Sequence, residues 1–143
     1  MTTYPKAEKA ALIPYYRYGD DIKMLFMKPS NPKFGGHNFQ ICKGIIDPGY
    51  TSEQTAIKEC IEELGVTENN LANLQYLFYD ILNYQDGRSS VIYVYTAEVI
   101  DLNKLVPFHY ETGSIRWMDI KEVNEHLRFI QRSLVYKAYN RIK

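Results

Sequence analysis

The segment from Lys43 to Val66, K-G-I-I-D-P-G-Y-T-S-E-Q-T-A-I-K-E-C-I-E-E-L-G-V, sets three carboxylates, Glu59, Glu62 and Glu63, at helical spacing on one turn. With about 100° of rotation per residue those acids share a face, and Ile57, Cys60, Ile61 and Leu64 are expected to line the opposite one. Like charges held this close destabilise a helix unless something compensates them, and a hard divalent cation such as Mg2+ does so through oxygen ligands. The spacing therefore predicts a helix with one buried side and one metal-binding side.

These residues resemble the Nudix box, whose pattern is Gly, five residues, Glu, seven residues, then Arg-Glu-apolar-any-Glu-Glu-any-Gly-apolar. Gly44, Glu59, Cys60 in the apolar place, Glu62, Glu63, Gly65 and Val66 match it. Tyr50 stands where the pattern has Glu, and Lys58 where it has Arg. Three acids on an arbitrary helix usually form a solvated face, but here a glycine on each side keeps the pattern's spacing throughout. The resemblance implies a Nudix-like α/β/α sandwich with a mixed central β-sheet, formed by one domain over residues 1–143.

Charge and cysteine usage narrow the classes further. Seventeen basic and seventeen acidic side chains cancel, so no global field draws in DNA, RNA or an anionic membrane, and a polyphosphate must be held by a local patch. Cys42 and Cys60 form no Cys-x-x-Cys pair and read as reduced core residues. The start lacks a long apolar signal region, and no stretch approaches the apolar length of a membrane span. A soluble, cytoplasmic protein without a membrane partner is expected.

Along the chain, Lys9 to Tyr18 and Ile22 to Met27 predict a hairpin turning at Gly19-Asp20-Asp21, with Pro14 suggesting an edge or a bulge in the first strand. A Pro, Gly and Asn-rich loop follows, and Phe39 to Cys42 predicts a further extended run. Thr51 with Gln54 three residues on is a capping-box signal for the acidic helix, and Gly65 ends it. Leu74 to Tyr84 and Ser89 to Ile100 flank Asp86-Gly87, a hairpin signal. The second of these runs is apolar on both alternating sets, which predicts a central strand. Ser114 to Met118 predicts a short strand, Asp119 with Glu122 a capped helix reaching His126, and the residues from Leu127 an amphipathic terminal helix.

A diphosphate bridge is inert because its oxygens repel a nucleophile and its leaving group departs as an anion. Bound cations answer both problems by neutralising charge and acidifying a water. Glu59 and Glu63, four residues apart, can grip one cation, and Glu62 adds a further ligand or serves a second ion. The resemblance implies that a carbonyl of Lys43 or Gly44 joins this Mg2+ or Mn2+ site, where Gly44 permits close approach. It also implies that a loop carboxylate completes the site or acts as base. Glu111, six residues before Trp117, is the candidate, with the box glutamates Glu59 and Glu62 as others and Glu98 as a substitute if its register turns it inward.

Lys43, immediately before Gly44, resembles the subgroup acting on dinucleoside polyphosphates, capped or triphosphorylated RNA ends and inositol pyrophosphates. A nucleotide or dinucleoside polyphosphate is the favoured substrate class, with an RNA 5′ end as an alternative partner. Lys43, Phe39, His37 and Tyr50 are the candidate substrate contacts, and Lys28, Lys33 and Arg88 are further cations. His37, His109 and His126 show no metal spacing. Two rival readings are a catalytically weak Nudix-like module that only binds nucleotide, suggested by Tyr50 and Lys58, and prenyl diphosphate isomerisation, which would need an exposed cysteine or similar acid. The chain is expected to act as a monomer or a homodimer.

Overall fold

A computed structural model describes residues 7–34, 36–107 and 110–143. Among the described residues six strands form one mixed sheet: β1 Ala7–Tyr18, β2 Asp21–Pro29, β3 Cys42–Ile45, β4 Leu71–Asn83, β5 Ser89–Val99 and β6 Thr112–Met118. The sheet runs β4-β5-β1-β2-β6, and among the described residues β3 pairs with β1 alone. The described residues also form the helices α1 Ser52–Leu64, α2 Ile120–His126 and α3 Arg132–Ile142.

Alternation along the strands sends side chains to two cores. On one face Ala10, Leu12, Tyr95, Ala97 and Val99 pack with Ala56, Cys60 and Leu64 of α1. On the other, Ala11, Ile13, Ile92 and Val94 pack with Val123 of α2 and with Leu134, Val135 and Ala138 of α3. The expected α/β/α sandwich is formed, and β5 is covered on both faces as its sequence predicts. Cys42 and Cys60 are free thiols in the α1-side core. No described helix is long and apolar enough to cross a membrane.

Pro14 lies neither on an edge strand nor at a bulge. Strand β1 pairs with β3 through Lys9 to Leu12 and with β2 from Tyr15 onward, while its other edge runs parallel to β5. Pro14 sits in the interval where β1 changes partner, so its missing N–H costs no ladder bond there. The predicted strand at Phe39 to Cys42 is also displaced. Phe39 and Gln40 make isolated bridges to Leu127 and Met27, and the ladder with β1 begins only at Cys42.

Local signals set the helix ends. Thr51 and Gln54 form a reciprocal capping box on α1, and Asp119 and Glu122 do the same on α2. The terminal helix starts later than Leu127, because a 3-10 turn at Phe129–Gln131 precedes it. There the fully buried Gln131 accepts through Oε1 from the Ile41 amide at 2.9 Å. Gly65 closes α1 at φ 71°, and the Val106 carbonyl oxygen lies against its Cα. Gly65→Ala combines a left-handed backbone with that clash. It is expected to lower unfolding stability by about 1–3 kcal/mol in a denaturant titration, and an unchanged midpoint would contradict this account of the helix end.

Candidate active site

The site lies where α1 meets the outer edge of β3. Among the described residues β3 has no further ladder on that edge, and the Lys43 amide there donates to Glu63 Oε2 at 3.0 Å. One turn earlier, Glu59 lays its carboxylate directly against the Cα of Gly44, in space that any Cβ would occupy. A glycine is needed at this position for close approach, not for its backbone angle. The segment entering β6 closes the third side: Thr112 donates its hydroxyl to the Glu63 carbonyl at 3.0 Å, and the Ser30 amide donates to the Glu111 carbonyl at 2.8 Å. Glu111 is exposed, yet close enough for its charge to act on both Glu59 and Glu63.

The helix face differs from the expected one. Ala56, Cys60 and Leu64 form the buried stripe at four-residue steps, whereas Ile57 and Ile61 are only half-buried. Those two isoleucines line an open groove with Glu53, Gln54, Lys58, Glu62 and Glu68. Glu62 is exposed on this outer side, while Glu59 and Glu63 turn toward β3. Strand register decides Glu98 against the notion of a substitute base. It faces the α2 and α3 side with Ile92 and Val94, away from the layer holding α1.

Burial, then repulsion from Glu62 and Glu111, raises the Glu59 carboxyl to about 7 against the pull of Lys58 and Lys43. Burial and the Glu59 charge raise Glu63 to about 8, against the Lys43 ammonium and amide. Among the described residues no three His, Cys, Asp or Glu side chains are gathered at ligand spacing as they stand. What fits a hard divalent cation is the donor chemistry: half-buried carboxylate oxygens that raise one another's proton affinity at an open strand edge. Glu59 and Glu63 form no salt bridge among the described residues.

The other expected contacts are spread more widely. The Lys43 side chain lies on the face opposite α1, because Lys43 pairs with Ala11 of the other core. Phe39 is half-buried on that side with Lys28 Nζ 5.6 Å from its ring centroid. His37 is exposed in the preceding loop, Lys33 is exposed, and Arg88 pairs with Asp86 at the β4-β5 turn. His126 contributes its carbonyl to the Phe39 amide. His109 lies outside the described residues. Tyr50 is exposed, with Lys58 Nζ 5.7 Å from its ring centroid, so a cation–π contact joins the positions that depart from the box pattern. The sequence did not single out Lys9, Tyr84 or Arg128, which stand around Lys43. No local motif marks them, and only the β1-β3 register and the return of the chain after α2 bring them there.

The raised carboxyl pKa values predict how the metal-free protein responds to pH. Both folded-state values exceed the ordinary 4.5, so the protonated forms favour the fold. That stabilisation is complete below about 4.5 and is lost as pH rises through about 7 for Glu59 and about 8 for Glu63. In chelator, the unfolding midpoint should therefore fall across this window, and Glu63→Gln should flatten the fall. A midpoint that rises with pH there would contradict the electrostatics of the site.

Comparison with known proteins places this geometry. A family model described as NUDIX domain matches residues 8–138. The chain is 31% identical over 110 residues to the bis(5′-nucleosyl)-tetraphosphatase [asymmetrical] of Mus musculus, covering 76% of this chain and 71% of that protein. The Sus scrofa protein of the same name is 32% identical over the same shares. Among solved structures, a C. elegans Ap4A hydrolase binary complex superposes with a TM-score of 0.77 at 22% identity, covering 95% of this chain and 97% of that one. At that identity the superposition speaks for the fold. With the box residues at the β3 edge, these matches show that the chain belongs to the Nudix hydrolase family, whose members generally use divalent cations, and that it is a Nudix-type pyrophosphohydrolase.

Proposed function

We propose that residues 1–143 form a single Nudix domain that hydrolyses a phosphoric anhydride bond in a nucleotide polyphosphate, of dinucleoside type, with Mg2+ or Mn2+. The observation that carries this reading is the pair Glu59 and Glu63 lodged against Gly44 and Lys43, with the Lys43 side chain emerging on the other face beside aromatic rings. The tetraphosphatase names of the mouse and pig relatives support the substrate class. The zero net charge favours a small nucleotide over an RNA 5′ end, because no global field draws in a longer polyanion. Two buried free thiols suit a reducing compartment, and we place the enzyme in the cytoplasm. The reading holds for a monomer or a homodimer.

In this reading Glu59 and Glu63 hold the cation, with Glu62 at the outer rim and a Lys43 or Gly44 carbonyl as a further oxygen donor. A bound divalent ion supplies charge neutralisation on the phosphate oxygens and a more acidic water. Glu111, or a box glutamate, takes the proton from the attacking water. The water oxygen bonds to phosphorus, the bridging P–O bond breaks, and its electron pair leaves with the departing phosphate. Lys43 offsets charge on the phosphate chain, Phe39 offers a ring to the base, and His37 and Tyr50 border the site from their loops.

Three measurements test this together. Turnover of a dinucleoside polyphosphate in oxygen-18 water should place the label in a phosphate product, and label absent from every phosphate would sink the hydrolytic reading. Glu59→Gln and Glu63→Gln should each lower turnover by roughly 10²- to 10⁴-fold. Mg2+ should raise the melting temperature of the parent protein well above any shift in these variants, because a ligand bound only by the native state stabilises it. Equal metal-induced shifts in parent and variants would place the cation elsewhere.

A further inference from the structure

Glu111, Thr112 and Gly113, which lead into β6, are each held by a different contact. The Glu111 carbonyl accepts from the Ser30 amide at 2.8 Å and from the Ser30 hydroxyl at 3.1 Å. Gly113 is the extra residue of a bulge, because β2 and β6 pair Lys28 with Ser114 and Pro29 with Thr112. A side chain at Gly113 would press on Ser30 Cα at 3.2 Å and on the Lys28 and Pro29 carbonyl oxygens at 3.3 Å. Bulges bend a strand and re-aim its side chains. Here Thr112 turns to the last turn of α1, where its hydroxyl donates to the Glu63 carbonyl at 3.0 Å.

The last carbonyls of a helix have no partner within it. At the end of α1 the Gly65 amide takes the Ile61 carbonyl, and Thr112 takes that of Glu63. Thr112 is only 5% exposed, so removing its hydroxyl leaves that carbonyl without a ready substitute. Glu63 is thereby held twice, through its carboxylate by the Lys43 amide of β3 and through its main chain by β6. The chain before β6 is tied to the same helix end once more, since the Val106 amide donates to the Gly65 carbonyl at 2.8 Å.

A proton acceptor acts only within hydrogen-bond reach of the attacking water, and a displacement of about 1 Å can cost about 10²-fold in rate. Ser30 sets Glu111 relative to β2, whereas the neighbouring Thr112 hydroxyl sets it relative to α1. We propose that Thr112 is a positioning residue whose hydroxyl fixes the spacing between Glu111 and the pair Glu59 and Glu63, and so governs the proton-transfer step. The assignment deepens, and rests on, the proposed hydrolysis with Glu111 as the group that takes the proton.

The test compares Thr112→Val, which keeps the branched shape without the hydroxyl, and Thr112→Ser, which keeps the hydroxyl, with the parent protein and with Glu111→Gln. With Mg2+ and a dinucleoside polyphosphate, Thr112→Val should lower kcat about ten- to hundredfold while KM stays within about twofold. Thr112→Ser should recover most of the rate. Added to Glu111→Gln, Thr112→Val should lower kcat by no more than about another twofold, because residues that act through one another are not additive. An equal loss in both backgrounds, a Glu111→Gln variant as fast as the parent, or a Thr112→Ser variant as slow as Thr112→Val overturns the assignment. So does a Thr112→Val variant that loses only thermal stability. A second readout needs no turnover: Mn2+ added to nitrogen-15-labelled protein should broaden the Glu111 amide resonance strongly in the parent and in Thr112→Ser, and less in Thr112→Val. Equal broadening in all three overturns the assignment. A parent that shows the expected pattern of broadening but cleaves no nucleotide retains Thr112 as the residue that sets Glu111 beside the cation, and overturns the proposed reaction instead. If Thr112→Val does not fold, Thr112→Ala decides by the same comparisons.

Discussion

The hydrogen bond that Glu63 accepts from the Lys43 amide at the edge of β3 ties α1 to the sheet, and the arrangement of the candidate site depends on it. A strand edge with an unpaired amide needs an acceptor, and a carboxylate on a neighbouring helix supplies one. Because Glu63 is committed to β3, Glu59 one turn earlier is directed at Gly44, whose lack of a side chain leaves room for it. Thr112 grips the Glu63 carbonyl and Ser30 grips that of Glu111, so β6 and β2 hold the loop carboxylate near the same edge.

The two cores keep this edge accessible while fixing both of its sides. Ala56, Cys60 and Leu64 anchor α1 against the sheet, so the acids on its flank have little freedom to withdraw from one another. Their mutual repulsion is held in place by packing, and the raised proton affinity of Glu59 and Glu63 follows from that constraint. The opposite core brings the segment after α2 back along Phe39 and Ile41, through the amide bonds of Phe39 and Arg128 and the buried Gln131. Cations and carboxylates thus stand on different faces of the same short strand, with Lys43 belonging to both.

Much of this was legible in the sequence where the signal is local. The capping residues Thr51 with Gln54 and Asp119 with Glu122 mark helix starts, and Asp86-Gly87 marks the β4-β5 turn. The spacing of Glu59 and Glu63 fits one helix flank, but spacing alone could not show that Glu62 would face an outer groove, because small rotations of α1 decide it. The role of Pro14 was illegible for a similar reason: the change of partner along β1 is a property of three strands together. Lys9, Tyr84 and Arg128 are separated widely in the chain and carry no motif. Their meeting depends on sheet register and on hydrogen bonds made after α2.

On the proposed reading Glu59 and Glu63, whose carboxyls burial and mutual repulsion raise above their ordinary range in the metal-free fold, would together hold one cation. Calorimetry of Mg2+ binding at about pH 7, repeated in buffers of different ionisation enthalpy, measures the protons released when metal displaces them. With the two carboxyls at about 7 and about 8, clear proton release is expected on binding, reduced in Glu63→Gln. Heats independent of the buffer, showing that Mg2+ binds without displacing any proton, would contradict it.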